Sequence, residues 1–256
     1  MTTVQQIDRA INALAPFDTA MSFDNVGTLV GDPQKVVTKV LVSLDVTETV
    51  LAEAIAVGAQ LIVTHHPVIF TPLKRLSADS LPYRLAESGI AVISAHTNYD
   101  LAPEGVNCCL ANALSLIDVE PLALEEKTGL AEGLIGTLPG DAMAPEQFAM
   151  FVKERLGCGG VKYTVGRGPV KRVAVGCGAG SYLVFDAISH GADGFVTGES
   201  KHHELLAAVQ GGLTMVDAGH FCTEDVAMMP LLEKLRAQFP AVQFQKSSQR
   251  EPVRYV

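Results

Sequence analysis

Six of the seven histidines in this chain fall in four short stretches. These are His65-His66, His96 with Asp100 four residues on, Glu199 with His202-His203, and His220 with Glu224 four residues on. Imidazole and carboxylate donors without thiolate suit zinc, manganese, iron, cobalt or nickel, whereas a structural zinc site is commonly rich in cysteine. The five cysteines are odd in number, contain no C-x-x-C and have only Cys108-Cys109 as a close pair. They argue against a disulfide framework and for free, packed thiols. A plain structural account would scatter the histidines, so their grouping favours metal. Five or more such donors exceed what one structural ion takes and fit two divalent ions sharing a carboxylate, typically about 3.5 to 4 Å apart. Such a pair attracts phosphate and lowers the pKa of bound water towards ~7, which would provide a hydroxide nucleophile at neutral pH. No G-x-S-x-G occurs in the chain, so acyl-enzyme chemistry is disfavoured.

The elements that must position these residues are strands. Residues 60 to 64 form an apolar run ending in His65-His66-Pro67, and in open α/β sheets ligands gather outside the carboxyl ends of the strands. The alternative for an adjacent pair is a surface or capping role, because successive side chains of an extended strand point to opposite faces. Residues 39 to 45 read as the preceding strand and 47 to 58 as the helix between them, which gives a β-α-β unit. A helix near 79 to 88 leads to a strand at 90 to 95, which ends at His96-Thr97-Asn98-Tyr99-Asp100. The chain before these units opens with a helix whose Val4, Ile7, Ile11 and Leu14 fall on one stripe. A polar turn at Asp24-Asn25 follows, either capping its own backbone or facing a pocket.

A helix at 105 to 116 follows, and from Thr128 the alternation changes. Strands are expected at 130 to 138, 160 to 165, 171 to 176, 194 to 198 and 213 to 217, with helices from Pro145 to Leu156, before His190 and up to Gln210. The Gly176-Cys177-Gly178-Ala179-Gly180-Ser181 turn does not match G-x-G-x-x-G. It is either a tight packed turn or an anion contact. A last helix carries Leu231, Leu232 and Leu235, with Pro230 kinking or beginning it, and 242 to 245 reads as an edge strand. Residues 54 to 65 and 187 to 198 agree at six of twelve positions with an offset of 133. The strands near 40 and 173 keep that offset, which implies two similar β-α-β halves, although convergence on α/β grammar explains part of the likeness. The expected fold is therefore α/β: two α/β domains built from similar β-α-β units. The first spans 1-126, completed by the C-terminal segment 214-256; the second, smaller one spans 127-213.

A formal net charge of −9 disfavours a broad basic surface for nucleic acid, although a local positive pocket at a metal remains compatible with it. No stretch reaches the roughly 20 apolar residues of a membrane span, and the amino terminus has no export signal, so a cytoplasmic protein is expected.

Six motifs together resemble one family, the NIF-three-like proteins, many of them named GTP cyclohydrolase I type 2 homologues. They are SFDNVGTLVGDP at 22 to 33, VTHHP at 63 to 67, AHTNYD at 95 to 100, GAGS at 178 to 181, GADGFVTGE at 191 to 199 and DAGHFCTE at 217 to 224. The resemblance implies two α/β domains with a dinuclear metal site in the cleft between them, and ring-shaped hexamers assembled as a trimer of dimers. Carried over residue by residue, it implies His65, His66, Asp100, His220 and Glu224 as metal ligands. His96 falls in the third motif without being a standard ligand, which suits a proton shuttle; its alternative is a buried imidazole bonded to backbone. Asn25, Glu199 and His202 are expected behind the ligands or in the pocket wall, with an exposed helix start as the alternative for the last two. Thr28 stands where an apolar residue is more usual. The function implied is a metal-dependent hydrolase acting on a small anionic, phosphorylated or nucleotide-like substrate; the alternative is a metal-binding regulatory or adaptor protein.

Overall fold

A computed structural model describes residues 1–256. In chain order it begins with α1 (Val4–Leu14), β1 (Gly27–Val30), β2 (Lys39–Ser43), α2 (Glu48–Val57) and β3 (Leu61–Thr64). Next come α3 (Leu81–Glu87), β4 (Ala91–Ser94), α4 (Thr97–Leu101), α5 (Val106–Ala113), β5 (Ile117–Leu124) and β6 (Ala131–Thr137). The chain continues through α6 (Pro145–Leu156), β7 (Lys162–Tyr163), β8 (Arg172–Gly176), α7 (Val184–Ser189), β9 (Gly194–Thr197) and α8 (His202–Gly211). It ends with β10 (Thr214–Asp217), α9 (His220–Asp225), α10 (Met228–Gln238) and β11 (Gln243–Lys246). No helix is long and apolar enough to cross a membrane.

Two compact units result, Met1–Ala102 with Met228–Arg250, and Pro103–Ala227 with Glu251–Val256. The boundaries expected at 126 and 214 move for a physical reason. Strand β5 pairs with β6, and β10 pairs in parallel with β9, so residues 103 to 126 and 214 to 227 belong to the second unit's sheet and its helices. Only 228 to 250 returns to the first unit, where β11 adds in parallel to β2.

In the first unit the sheet order is β1-β4-β3-β2-β11, with β1 antiparallel to β4 and the other pairings parallel. Strands β3 and β4 are buried along their whole length, as expected of parallel strands covered on both faces, which is why they read as unbroken apolar runs. Leu41, Ile62 and Val92 of the sheet pack with Val50, Leu51 and Ala54 of α2 and Leu85 of α3. Helix α2 starts where Thr47 Oγ1 accepts from the Val50 N–H at 3.2 Å, and it stops at Gly58, whose φ of +70° suits glycine.

The second unit's sheet runs β5-β6-β8-β9-β10-β7. Its core joins Ala174, Phe195 and Met215 of the strands to Leu183, to Val184 and Ala187 of α7 and to Ala208 of α8. The internal echo is visible in the strands: β8 and β9 begin 133 residues after β2 and β3. Each unit also lays an antiparallel strand, β1 or β7, against the third strand of its parallel set, β4 or β10. Pro230 lies in the first turn of α10 and so begins the helix rather than kinking it. All five cysteines are free thiols.

Candidate metal centre

In the first unit, β3 and β4 run side by side in register, so their carboxyl ends release His65-His66 and His96 at the same edge. The rings of His65, His66 and His96 lie 5.0 to 5.3 Å apart by centroid. Each offers one ring nitrogen within 4.8 Å of the others, close enough to hold a metal ion. Helix α4 begins just after His96 and returns Asp100 to the group, with Oδ1 3.5 Å from His65 Nε2. His65 is fully buried, whereas His66, His96 and Asp100 keep partial exposure.

What each Nδ1 touches decides the tautomer. His65 Nδ1 lies 2.8 Å from the Ala95 carbonyl oxygen, which can only accept, so Nδ1 carries the proton and the Nε2 lone pair is available. His66 Nδ1 lies 2.7 Å from Asp45 Oδ1, and His96 Nδ1 lies 2.8 Å from Asp24 Oδ1. Both carboxylates are themselves fixed. Asp45 Oδ2 accepts from Gln249 Nε2 at 2.5 Å, while Gln249 Oε1 accepts from the Asp45 N–H and from Ser43 Oγ. Asp24 accepts from the Asn25 N–H and from both the N–H and the hydroxyl of Thr97. Burial alone would raise the Asp24 pKa; the hydrogen bonds from His96 and Thr97 outweigh it and bring it down to about 2. Asp24 therefore caps its neighbour's backbone, as the sequence suggested, and also orients an imidazole, which the sequence did not show.

In the second unit, α9 opens at His220 after Gly219, whose φ is +87°. The spacing of four puts His220 and Glu224 on one face, and Nε2 of the first lies 3.0 Å from Oε2 of the second. His220 Nδ1 lies 2.7 Å from Glu199 Oε1 at the end of β9, so this imidazole too is held by its far nitrogen. Two glycines let α9 approach the strand ends. A Cβ at Gly178 would collide with Glu224 Oε1, and one at Gly198 would come within 2.8 Å of the His220 Cα. The glycine turn after β8 is thus a close-packed turn against the acid, with the Gly178 N–H donating to Thr223 Oγ1 at 3.1 Å. A cavity of about 600 Å³ opens beside His220, its lining including Lys162, Glu199, Ser200, Asp217, Glu251 and Tyr255. Lys162 Nζ and Ser200 Oγ both contact Asp217 Oδ2, at 2.8 and 2.6 Å.

A family model described as Duf34/NIF3 (NGG1p interacting factor 3) matches residues 2–252. A Clostridium perfringens protein named GTP cyclohydrolase 1 type 2 homolog is 31% identical over 265 residues, covering 99% of each chain. The chain belongs to the Duf34/NIF3 family. A Bacillus cereus protein related to NIF3 superposes with a TM-score of 0.91 at 26% identity, covering 100% of both chains. A Staphylococcus aureus protein, SA1388, also reaches 0.91, at 29% identity and 99% coverage of both.

For a Duf34/NIF3 chain, the expected site residues fall into distinct places. His65, His66, His96 and Asp100 come together in the first unit, and His220, Glu224 and Glu199 in the second. His96 bonds a carboxylate, not backbone as the structural alternative had it. Asn25 donates from Nδ2 to the Ile69 carbonyl at 2.6 Å and so pins the loop after His66. His202 is exposed on the first turn of α8 and is absent from the cavity lining, because that turn starts beyond the end of β9 and faces solvent. Sequence reasoning missed Asp24 as an orienting group, and Asp45 and the Ala95 carbonyl altogether. Asp45 lies just past β2, as other ionisable residues lie just past β3, β4 and β9, and that position was a local signal for Asp45 alone. Asp45→Asn should leave the fold intact and weaken metal binding by roughly 10- to 100-fold, since the amide can no longer fix His66 as strongly. Competitive titration against a metal indicator checks this, and an unchanged affinity would remove Asp45 from the site.

Proposed function

We propose that this chain is a cytoplasmic metal-dependent hydrolase for a small phosphorylated or nucleotide-like compound. In this proposal two divalent transition-metal ions are held by His65, His66, Asp100, His220 and Glu224. One observation carries it: the four imidazoles His65, His66, His96 and His220 are each held at Nδ1 by an oxygen acceptor. That arrangement turns Nε2 towards the neighbouring donors and is the usual second-layer support of a metal-binding histidine. When bound, the ions would supply Lewis acidity towards a phosphoryl oxygen and a water nucleophile at neutral pH.

The chain's own groups account for the proton. Asp24 Oδ1 accepts the Nδ1–H of His96 and so fixes the ring with Nε2 free to exchange a proton. His96 Nε2 would accept a proton from the attacking water and return it to the leaving oxygen. The cavity beside His220 offers room for the body of a substrate. The relatives' name, GTP cyclohydrolase 1 type 2 homolog, brings a nucleotide into the set of substrates to be tried. Assembly as a homohexamer, a trimer of dimers, belongs to the same proposal, and mass in solution checks it. The family's description as an interacting factor supports a second reading, a metal-binding adaptor without turnover.

The test is elemental analysis of untagged protein followed by a screen of phosphoesters and nucleotides, with Asp100→Ala beside the wild type. A drop of about 100-fold or more in kcat/KM in the variant is expected, or about 2.7 kcal/mol. Equal rates would assign the activity to a contaminant and sink the proposal.

A further inference from the structure

Two aromatic side chains beside the imidazole group have no role in the core. Phe23 and Phe70 are 60% and 47% exposed, although both belong to segments that are firmly held. Asp24, next to Phe23, is the acceptor for His96 and Thr97. Ile69, next to Phe70, gives its carbonyl to Asn25. The same polar ties that orient the site therefore hold the two phenyl groups near it. Their ring centroids lie 6.2 Å apart at a tilt of 54°, and Phe70 stands 6.2 Å from His96, nearly edge-on at 74°. Leu73 and Leu76, further along the same loop, are also exposed.

Leaving these groups in water forfeits hydrophobic stabilisation, and their fixed placement points to a ligand that covers them. The occupant must be small. Each aromatic side chain presents at most roughly 150 to 250 Å² when fully exposed, so this half-exposed pair offers on the order of 200 Å². A stable protein partner needs about 800 Å² a side. A flat, π-rich occupant suits tilted phenyl faces, and an anionic group on it would point towards the imidazole group some 6 Å away.

We infer that Phe23 and Phe70 form a stacking subsite for a planar heteroaromatic ring carried by the anionic substrate, with Phe70 as its specificity-determining residue. The inference rests on the hydrolase reading above and names the substrate class for it: a phosphorylated heteroaromatic compound, as opposed to a sugar or alkyl phosphate.

Isothermal titration of the metal-containing protein with three probes tests it: a purine nucleoside 5′-monophosphate, ribose 5-phosphate and inorganic phosphate. Phe70→Ala and Phe23→Ala should each weaken the nucleotide about ten-fold or more and leave ribose 5-phosphate unchanged, while Phe70→Tyr, which keeps the ring, should bind as the wild type does. Equal effects on nucleotide and ribose phosphate, or none on either, would overturn the subsite and leave the hydrolase reading standing. Phosphate binding without any gain from the ring in the wild type would do the same. Failure of all three probes to bind would overturn both together. A change of mass in solution in the alanine variants would identify the patch as a protein contact and overturn the subsite alone.

Discussion

Protein stripped of metal by a chelator is expected to keep its secondary structure and to lose hydrolysis by roughly 1,000-fold or more, about 4 kcal/mol in the barrier, with recovery when metal is returned. The fold does not need an ion to hold the donors. His65 is fixed by the Ala95 carbonyl, His66 by the chain Asp45–Gln249–Ser43, His96 by Asp24, and His220 by Glu199. The cores are apolar and separate from these groups: Leu41, Ile62 and Val92 in one unit, Ala174, Phe195 and Met215 in the other. Loss of bound ions should lower stability only through mass action, about 3 to 4 kcal/mol for each site loaded at 100 to 1,000 times its Kd. For a chain of this size each kcal/mol moves Tm by about 2 to 4 °C, so melting should come earlier but remain cooperative. Far-UV circular dichroism and turnover, measured on the same stripped and reloaded samples, decide the matter. Unfolding on chelation would show the ions to be structural and favour the adaptor reading; a folded apoprotein with undiminished turnover would show that no metal takes part.

The pattern of what the sequence disclosed follows from range. Strands β2, β3, β4, β8, β9 and β10 form two parallel sets mostly buried on both faces, so each leaves a short stretch dominated by buried apolar residues, from Val40-Leu41-Val42 in β2 to Met215-Val216 in β10, that is legible locally. Strand β5 left no such run: five of its first residues are exposed and Pro121 interrupts it, so it emerges only through its pairing with β6. The stretch expected as a strand at 160 to 165 shrinks to the two residues of β7, whose neighbours bond to β10 from outside the ladder. Helices α4 and α9 carry polar residues at the positions that matter and have no apolar stripe to announce them. The spacing of four residues from His96 to Asp100 and from His220 to Glu224 was their one trace. The ligand candidates were legible because histidine is rare and its placement is informative. The groups that orient them were not, because His66 finds Asp45 across 21 residues and His96 finds Asp24 across 72. Such pairings depend on the sheet being assembled, and no local pattern encodes them.

Gly178→Ala is the substitution at which backbone and chemistry meet, and it should cost both stability and metal. Gly178 has φ +51°, a left-handed conformation that penalises any L side chain by about 1 kcal/mol. The new methyl would also fall on Glu224 Oε1 and within 3.2 Å of His220 Nε2. Retreat is difficult for Glu224, which is buried on α9, and that helix is tied to the same turn by the Gly178 N–H bond to Thr223. Gly198 leaves the helix backbone no slack on its other side. Overpacking of this kind costs about 1 to 3 kcal/mol beyond the backbone penalty. Displacement of the carboxylate should lower metal affinity about ten-fold or more, by analogy with the loss of a supporting group. Gly191→Ala separates the two effects, because Gly191 has a comparable φ of +69° and nothing within 4 Å of its would-be Cβ. That control should lose about 1 kcal/mol and no metal. If Gly178→Ala binds metal as tightly as Gly191→Ala does, then Glu224 and His220 hold no ion, and the second unit's share of the proposed centre goes with them.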